Sequence, residues 1–428
     1  MQIINRPTVK PNPHGDFYVA PQTAPKENAL GDIFADINEG NDAINNAVLD
    51  EQDQTAKAGG FFTVNLMQID SMVAKGATAD DVLAYLVLVK GVNKRDELHL
   101  TSYGAQVIYK RTGMAYTRAE AAIQWLLANG YITKAEGEGI PAQLGKGTSR
   151  KHKPRWVLTQ VADTQSLALA NALVEGIGRG KDNPPLTRIY NEIKLGKHCI
   201  IADSRLDAVM VLVHLYWHHH FADCGGVNPR SGLYRAWVSA ENTAGERVTE
   251  IEGTNAALYE IVGSQNTVFN SFANESLFYI DDETERYARF WEAFNNMQSL
   301  GLIYEVIQVW DANPNGNNGR KAEPLYTLYV HDRHARESEP YLQKAIHNFA
   351  FKKGVMDRHS EFYINWDDGE SDLQSGRFRY IANKKAGGYP MGIYRLRFRP
   401  HTPDTGRGMA AEQSRVDRWV DALNNCAT

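Results

Sequence analysis

Cysteine is scarce in this chain: Cys199, Cys224 and Cys426 are the only three in 428 residues, too few and too scattered for a disulfide framework. Long apolar runs are missing as well. Leu83 to Val89 and Ala208 to Trp217 are the longest, and both are interrupted or too short to cross the roughly 30 Å of a bilayer core. No cationic start followed by an apolar stretch opens the chain. A cytoplasmic protein with no membrane role is expected.

Catalytic signatures are equally sparse. There is no Walker-type phosphate loop, no Rossmann glycine pattern and no Gly-x-Ser-x-Gly elbow. Glu192-Ile193-Lys194 matches the Glu-x-Lys half of a nuclease site, but no Pro-Asp pair precedes it. His214, His218, His219, His220 and Cys224 cluster, and the first two have the i, i+4 spacing that holds a metal on one helix face. A further carboxylate or thiol at a credible spacing is missing, so a packed or exposed histidine run is the expectation. Neither an enzyme, a metal nor a cofactor is expected.

Charge is present but segregated, and the net of -5 hides it. From Lys26 to Lys57 eight acids stand without a base between the two lysines, whereas Leu373 to Pro403 holds seven Arg or Lys and no acid. The first 58 residues are poor in large apolar groups and read as an acidic mobile tail. Within it, Ala29 to Ile37 has the pattern of a short amphipathic helix that forms on a partner or folds back onto a basic surface.

Apolar spacing predicts helices over Phe61 to Ala74 and Ala79 to Val92, with Thr78 as N-cap and Asp80 and Asp81 in the first turn. A helix, a tight turn at Thr112-Gly113-Met114 and a second helix opening on Tyr116-Thr117-Arg118 follow. Ala119, Ala122, Ile123, Leu126 and Leu127 form a buried stripe on that second helix, which leaves Thr117, Arg118, Glu120, Ala121 and Gln124 facing outward. Asn129-Gly130 stops it. Tyr131 to Thr133 and Trp156 to Thr159 read as strands, and the excursion between them carries Lys146, Arg150, Lys151, Lys153 and Arg155.

This order resembles a winged helix-turn-helix, and with Thr101-Ser102 it is similar to the winged domains of phage and plasmid replication proteins. The resemblance implies a helix in the major groove and a basic wing. Arg118 is then suited to guanine, Gln124 to adenine, Tyr116 and Thr117 to phosphate or a thymine methyl, and Lys110 and Arg111 to the backbone beside them.

After a helical connector at 163–200, with helices over Ser166 to Ile177 and Leu186 to Leu195, the pattern recurs. Ser204 to Phe221 and Glu283 to Ser299 read as helices; Leu300-Gly301-Leu302-Ile303 matches the Asn129-Gly130 corner, and strands at Tyr304 to Trp310 and Leu325 to Val330 flank a polar loop. Asp281, Asp282, Glu283 and Glu285 open the second copy and repel phosphate, although Arg286 and Arg289 lie further along. A weaker DNA reader or a protein-contact domain is expected there.

Strict alternation in Arg377-Phe378-Arg379-Tyr380-Ile381 and in Tyr394-Arg395-Leu396-Arg397-Phe398-Arg399 predicts two paired strands. The ribbon presents Arg377, Arg379, Arg395, Arg397 and Arg399 to water, with Lys384 and Lys385 at its turn; a solvated sheet face is the alternative. The expectation is therefore an α+β chain with two winged helix-turn-helix domains, at 59–162 and 201–335, and a basic C-terminal extension at 336–428 with a β-ribbon. Its expected partner is double-stranded DNA, bound as a site-specific replication initiator of a plasmid or phage. A transcriptional repressor and a non-enzymatic adaptor are the alternatives, with a homodimer and a replication or transcription protein on the acidic tail as further partners.

Overall fold

The computed structural model describes residues 60–92, 99–135, 156–159, 166–176, 183–193, 203–222, 224–231, 233–237, 246–254, 256–262, 265–269, 282–311, 322–331, 348–354, 363–364, 377–383 and 388–427. They form a mixed α+β structure. No helix among them is long and apolar enough to cross a membrane. The acidic segment 1–58 lies outside the described residues.

In chain order the first half holds β1 (Phe61–Asn65), α1 (Leu66–Ala74), α2 (Ala79–Lys90), β2 (Leu100–Thr101), α3 (Ala105–Thr112), α4 (Tyr116–Ala128), β3 (Ile132–Lys134), β4 (Trp156–Leu158), β5 (Ser166–Ala170), α5 (Ala172–Glu175) and α6 (Pro185–Glu192). Two expected helices are corrected here. Phe61 to Asn65 is a strand before α1, and Ser166 to Ala170 is the strand that pairs with it antiparallel. Burial explains the change: Phe62, Val64, Leu167 and Leu169 are inside while Thr63 and Ser166 are exposed, a period of two that short apolar runs share with helices. The helix α2 starts from a capping box in which Asp81 accepts from the Thr78 N–H.

The strands β2, β4 and β3 make a three-stranded sheet with β4 in the centre. The chain leaves it at Lys134 and returns at Trp156, which are directly paired.

The second half holds α7 (Ser204–Trp217), β6 (His219–His220), β7 (Gly226–Val227), β8 (Leu233–Trp237), β9 (Glu246–Glu250), β10 (Ala256–Val262), β11 (Gln265–Phe269), α8 (Glu283–Ser299), β12 (Ile303–Trp310), β13 (Pro324–His331), β14 (Tyr363–Ile364), β15 (Arg377–Asn383), β16 (Tyr389–Leu396) and α9 (Pro403–Ala427). A five-stranded sheet runs β11-β8-β16-β12-β13, and a four-stranded one runs β14-β15-β10-β9. Tyr326 on β13 links the sheets by donating to the Ile381 carbonyl at 2.7 Å and accepting from the Ile381 N–H at 3.1 Å.

The expected ribbon does not form. β15 pairs with β10 and β14, while β16 pairs with β12 and β8, so the two arginine-rich strands belong to different sheets. A helix, a glycine and two paired strands do recur from α8 to β13. The sheet differs, because β12 is central between β16 and β13, whereas in the first half the later strand β4 is central. One hydrophobic core runs through both halves, from Phe62 on β1 through α2, α4 and α7 to Phe294 on α8 and Leu396 on β16. Burying each such large side chain stabilises by about 1.5–3 kcal/mol.

Candidate nucleic-acid interface

The helix α4 is built as its spacing predicts. Ala119, Ala122, Ile123 and Leu126 are buried, Leu127 is half-buried, and Tyr116, Thr117, Arg118, Glu120, Ala121 and Gln124 are exposed. The turn into α4 needs a glycine twice over. Gly113 has φ 76° and caps α3 by donating to the Tyr109 carbonyl, and a Cβ on it would meet the Asn191 side chain at 2.7 Å. Thr112 fixes the corner by donating to the Ile108 carbonyl and accepting from the Met114 N–H.

No side chain caps the start of α4, and no acid lies in its first turn. Its first N–H groups therefore open toward an exposed surface, the arrangement that suits an anion. Lys110 at the end of α3 and Lys134 at the end of β3 are exposed, and Arg111 is half-buried. Lys134 and the exposed Tyr109 escaped the sequence reading. A cation just before the loop and an aromatic beside Lys110 were the signals.

Arg118 is not a free guanidinium. Its Nε lies 2.5 Å from Asp80 Oδ2 on α2, with the arginine side chain half exposed and the aspartate almost buried. Tyr116 is hydrogen-bonded to Glu120, which raises its phenol above the ordinary value. Gln124 is exposed on the same face. Lys146, Arg150, Lys151, Lys153 and Arg155 lie outside the described residues, as do Lys384 and Lys385.

The C-terminal arginines are corrected. Arg395 is buried, and its Nη2 donates to Glu412 Oε1 of α9 at 2.8 Å and to the Cys224 and Thr327 oxygens at 3.3 Å each. Burial by itself would raise the Glu412 carboxyl, but Arg395 and the hydrogen bonds from Arg395 and Thr327 hold it below its ordinary value. Arg397 donates to the Gly301 carbonyl at 2.6 Å, and Arg399 to the Tyr304 hydroxyl at 2.7 Å. Within β16, Tyr394, Arg395 and Leu396 are all buried, and α9 supplies the carboxylate that meets Arg395. Gly408 lets that helix pass, since a Cβ there would fall 1.8 Å from the Phe221 carbonyl oxygen. On β15, Arg379 sits directly opposite Glu260 of β10, whose other neighbour is Arg247 of β9.

On α8, Asp282 is the N-cap, accepting from the Thr284 and Glu285 N–H groups. Arg289 is held by Asp207 through two bonds, at 2.8 and 2.5 Å. Burial raises the Asp207 carboxyl against the opposing pull of Arg289. His214 on α7 lies 3.2 Å from Asp70 on α1. His219 is buried against Phe221 and held well below its ordinary value by desolvation, then by Arg399, Arg395 and His220. Among the described residues no three His, Cys, Asp or Glu side chains stand close enough to hold a metal ion. No protein-family model, no curated protein and no solved structure matches this chain.

Proposed function

We propose that this chain binds double-stranded DNA through a winged helix-turn-helix running from α2 to β4, with α4 in the major groove and residues 135–155 as the wing. One observation carries the reading. The order α2, β2, α3, α4, β3, β4, with β4 central in its sheet, presents a helix whose apolar stripe is buried and whose uncapped N-terminus is exposed, with Lys110 exposed at the end of α3 and Lys134 at the end of β3. Tyr116, Thr117 and Gln124 are the base-facing candidates, and the cations position the backbone.

Within that reading the role is site-specific initiation of plasmid or phage replication, on the resemblance of the first half to such proteins. The second half serves protein contact or weaker DNA contact, because Glu283 and Glu285 stand exposed at the start of α8 and Arg289 is engaged. A footprint on DNA flanking the gene tests this: direct repeats support initiation, and a single inverted repeat over a promoter supports repression. Affinity for duplex that does not fall with salt, or that survives loss of Lys151 and Lys153, overturns DNA binding and leaves the adaptor reading.

A further inference from the structure

We propose that Arg118 is exchanged between Asp80 and bound DNA, so that Asp80 sets how much affinity this arginine contributes. The inference rests on the duplex reading above and deepens it. Arg118 stands in the first turn of α4, on the surface that faces the groove, yet its guanidinium is drawn sideways to Asp80 Oδ2. The contact is made through Nε to one carboxylate oxygen, and Asp80 Oδ1 is buried with no hydrogen-bond partner among the described residues. A one-oxygen contact of this kind is weaker than the two-bond fork that a guanidinium makes with a phosphate or a guanine edge.

An aspartate this buried resists losing the guanidinium bonded to it, because an uncompensated carboxylate in the interior is costly. Asp80 has two substitutes. It lies in the first turn of α2, where the positive end of the helix dipole favours an anion. Arg205 at the start of α7 is within electrostatic range of it. The guanidiniums of Arg118 and Arg205 both stand over the Tyr190 ring of α6, at 5.7 and 5.0 Å from its centroid. When Arg118 swings to DNA, Arg205, itself bonded to Asp203 at 3.0 Å, stays within electrostatic range of the carboxylate it leaves. The two arrangements are discrete, and a duplex favours one of them, which is what a population shift requires.

The test uses the full chain and a fluorescent random-sequence duplex of about 30 base pairs, read by anisotropy across a salt series. Asp80→Asn keeps the shape and removes the competing charge; binding should tighten about threefold to tenfold, and the slope of log affinity against log salt should steepen by about one. In the Arg118→Ala background the same substitution should have no effect on either quantity. A gain that persists in that background means that Asp80 acts by simple repulsion, and it overturns the exchange; so does unchanged binding by Asp80→Asn. Asp80→Ser gives the same comparison should Asp80→Asn fail to show a cooperative thermal transition. Failure of the duplex reading is separately visible, since the unsubstituted chain then shows no salt-dependent binding.

Discussion

Lys110 and Lys134 stand exposed on the elements before and after α4, whereas three guanidiniums of the second half turn inward: Arg235 to Glu305 at 3.1 Å, Arg289 to Asp207 at 2.5 Å and Arg395 to Glu412 at 2.8 Å. Both regions are rich in basic residues. What separates them is the location of the answering acids, some of which come from elements far away in sequence. A run of arginines therefore marks a nucleic-acid surface only where no later element covers it.

The largest effect that would break this comparison is at Arg395. Arg395→Ala leaves Glu412 half-matched and should cost about 3–5 kcal/mol in urea unfolding; an unchanged midpoint with weakened duplex binding would place Arg395 on the surface after all. Next, the two sides of α4 should diverge. Leu126→Ala should cost about 2–5 kcal/mol, and Gln124→Ala less than about 0.5 kcal/mol while altering DNA sequence preference. Equal costs would mean that the helix is buried all round.

The pH dependence sharpens the inward side. The Glu412 carboxyl is lower in the folded chain than its ordinary 4.5, so its stabilisation is present above that pH and is lost as pH falls through the folded value. Unfolding of the unsubstituted chain and of Glu412→Gln across a pH series should show a gap that narrows toward acid. Glu305 and Asp207 act in the opposite sense, because burial raises both carboxyls and the preference for their neutral forms is lost as pH rises. A gap that widens in acid would contradict the Arg395 pairing. Smallest of all, Lys110→Ala and Lys134→Ala should each leave stability within about 0.5 kcal/mol and lower the salt slope by about one.

Much of the first half was legible because its signals are local. The stripe Ala119, Ala122, Ile123 and Leu126, the Gly113 turn and the Asn129-Gly130 stop are read within a few residues, and each takes the structure its pattern predicts. Helix α8 spans Glu283 to Ser299 as expected. Phe61 to Asn65 and Ser166 to Ala170 were misread because a five-residue apolar segment has too few periods to separate strand from helix; only their mutual pairing settles it. Likewise, Arg395 reads as exposed until Glu412 is known to reach it from α9. Asp80 gives no hint in sequence of holding Arg118, which lies 38 positions away.

Sequence alone determined the scarcity of disulfide partners, the polarity pattern that makes α4 two-faced, and the corners that begin and end it, since sterics and solvation act over one or two helical turns. Tertiary structure alone decided which strands became neighbours and which charges met. Strand pairing and ion pairing join residues at any sequence distance, and a same-sign run can be neutralised by an acid from an element that packs on it later in the chain.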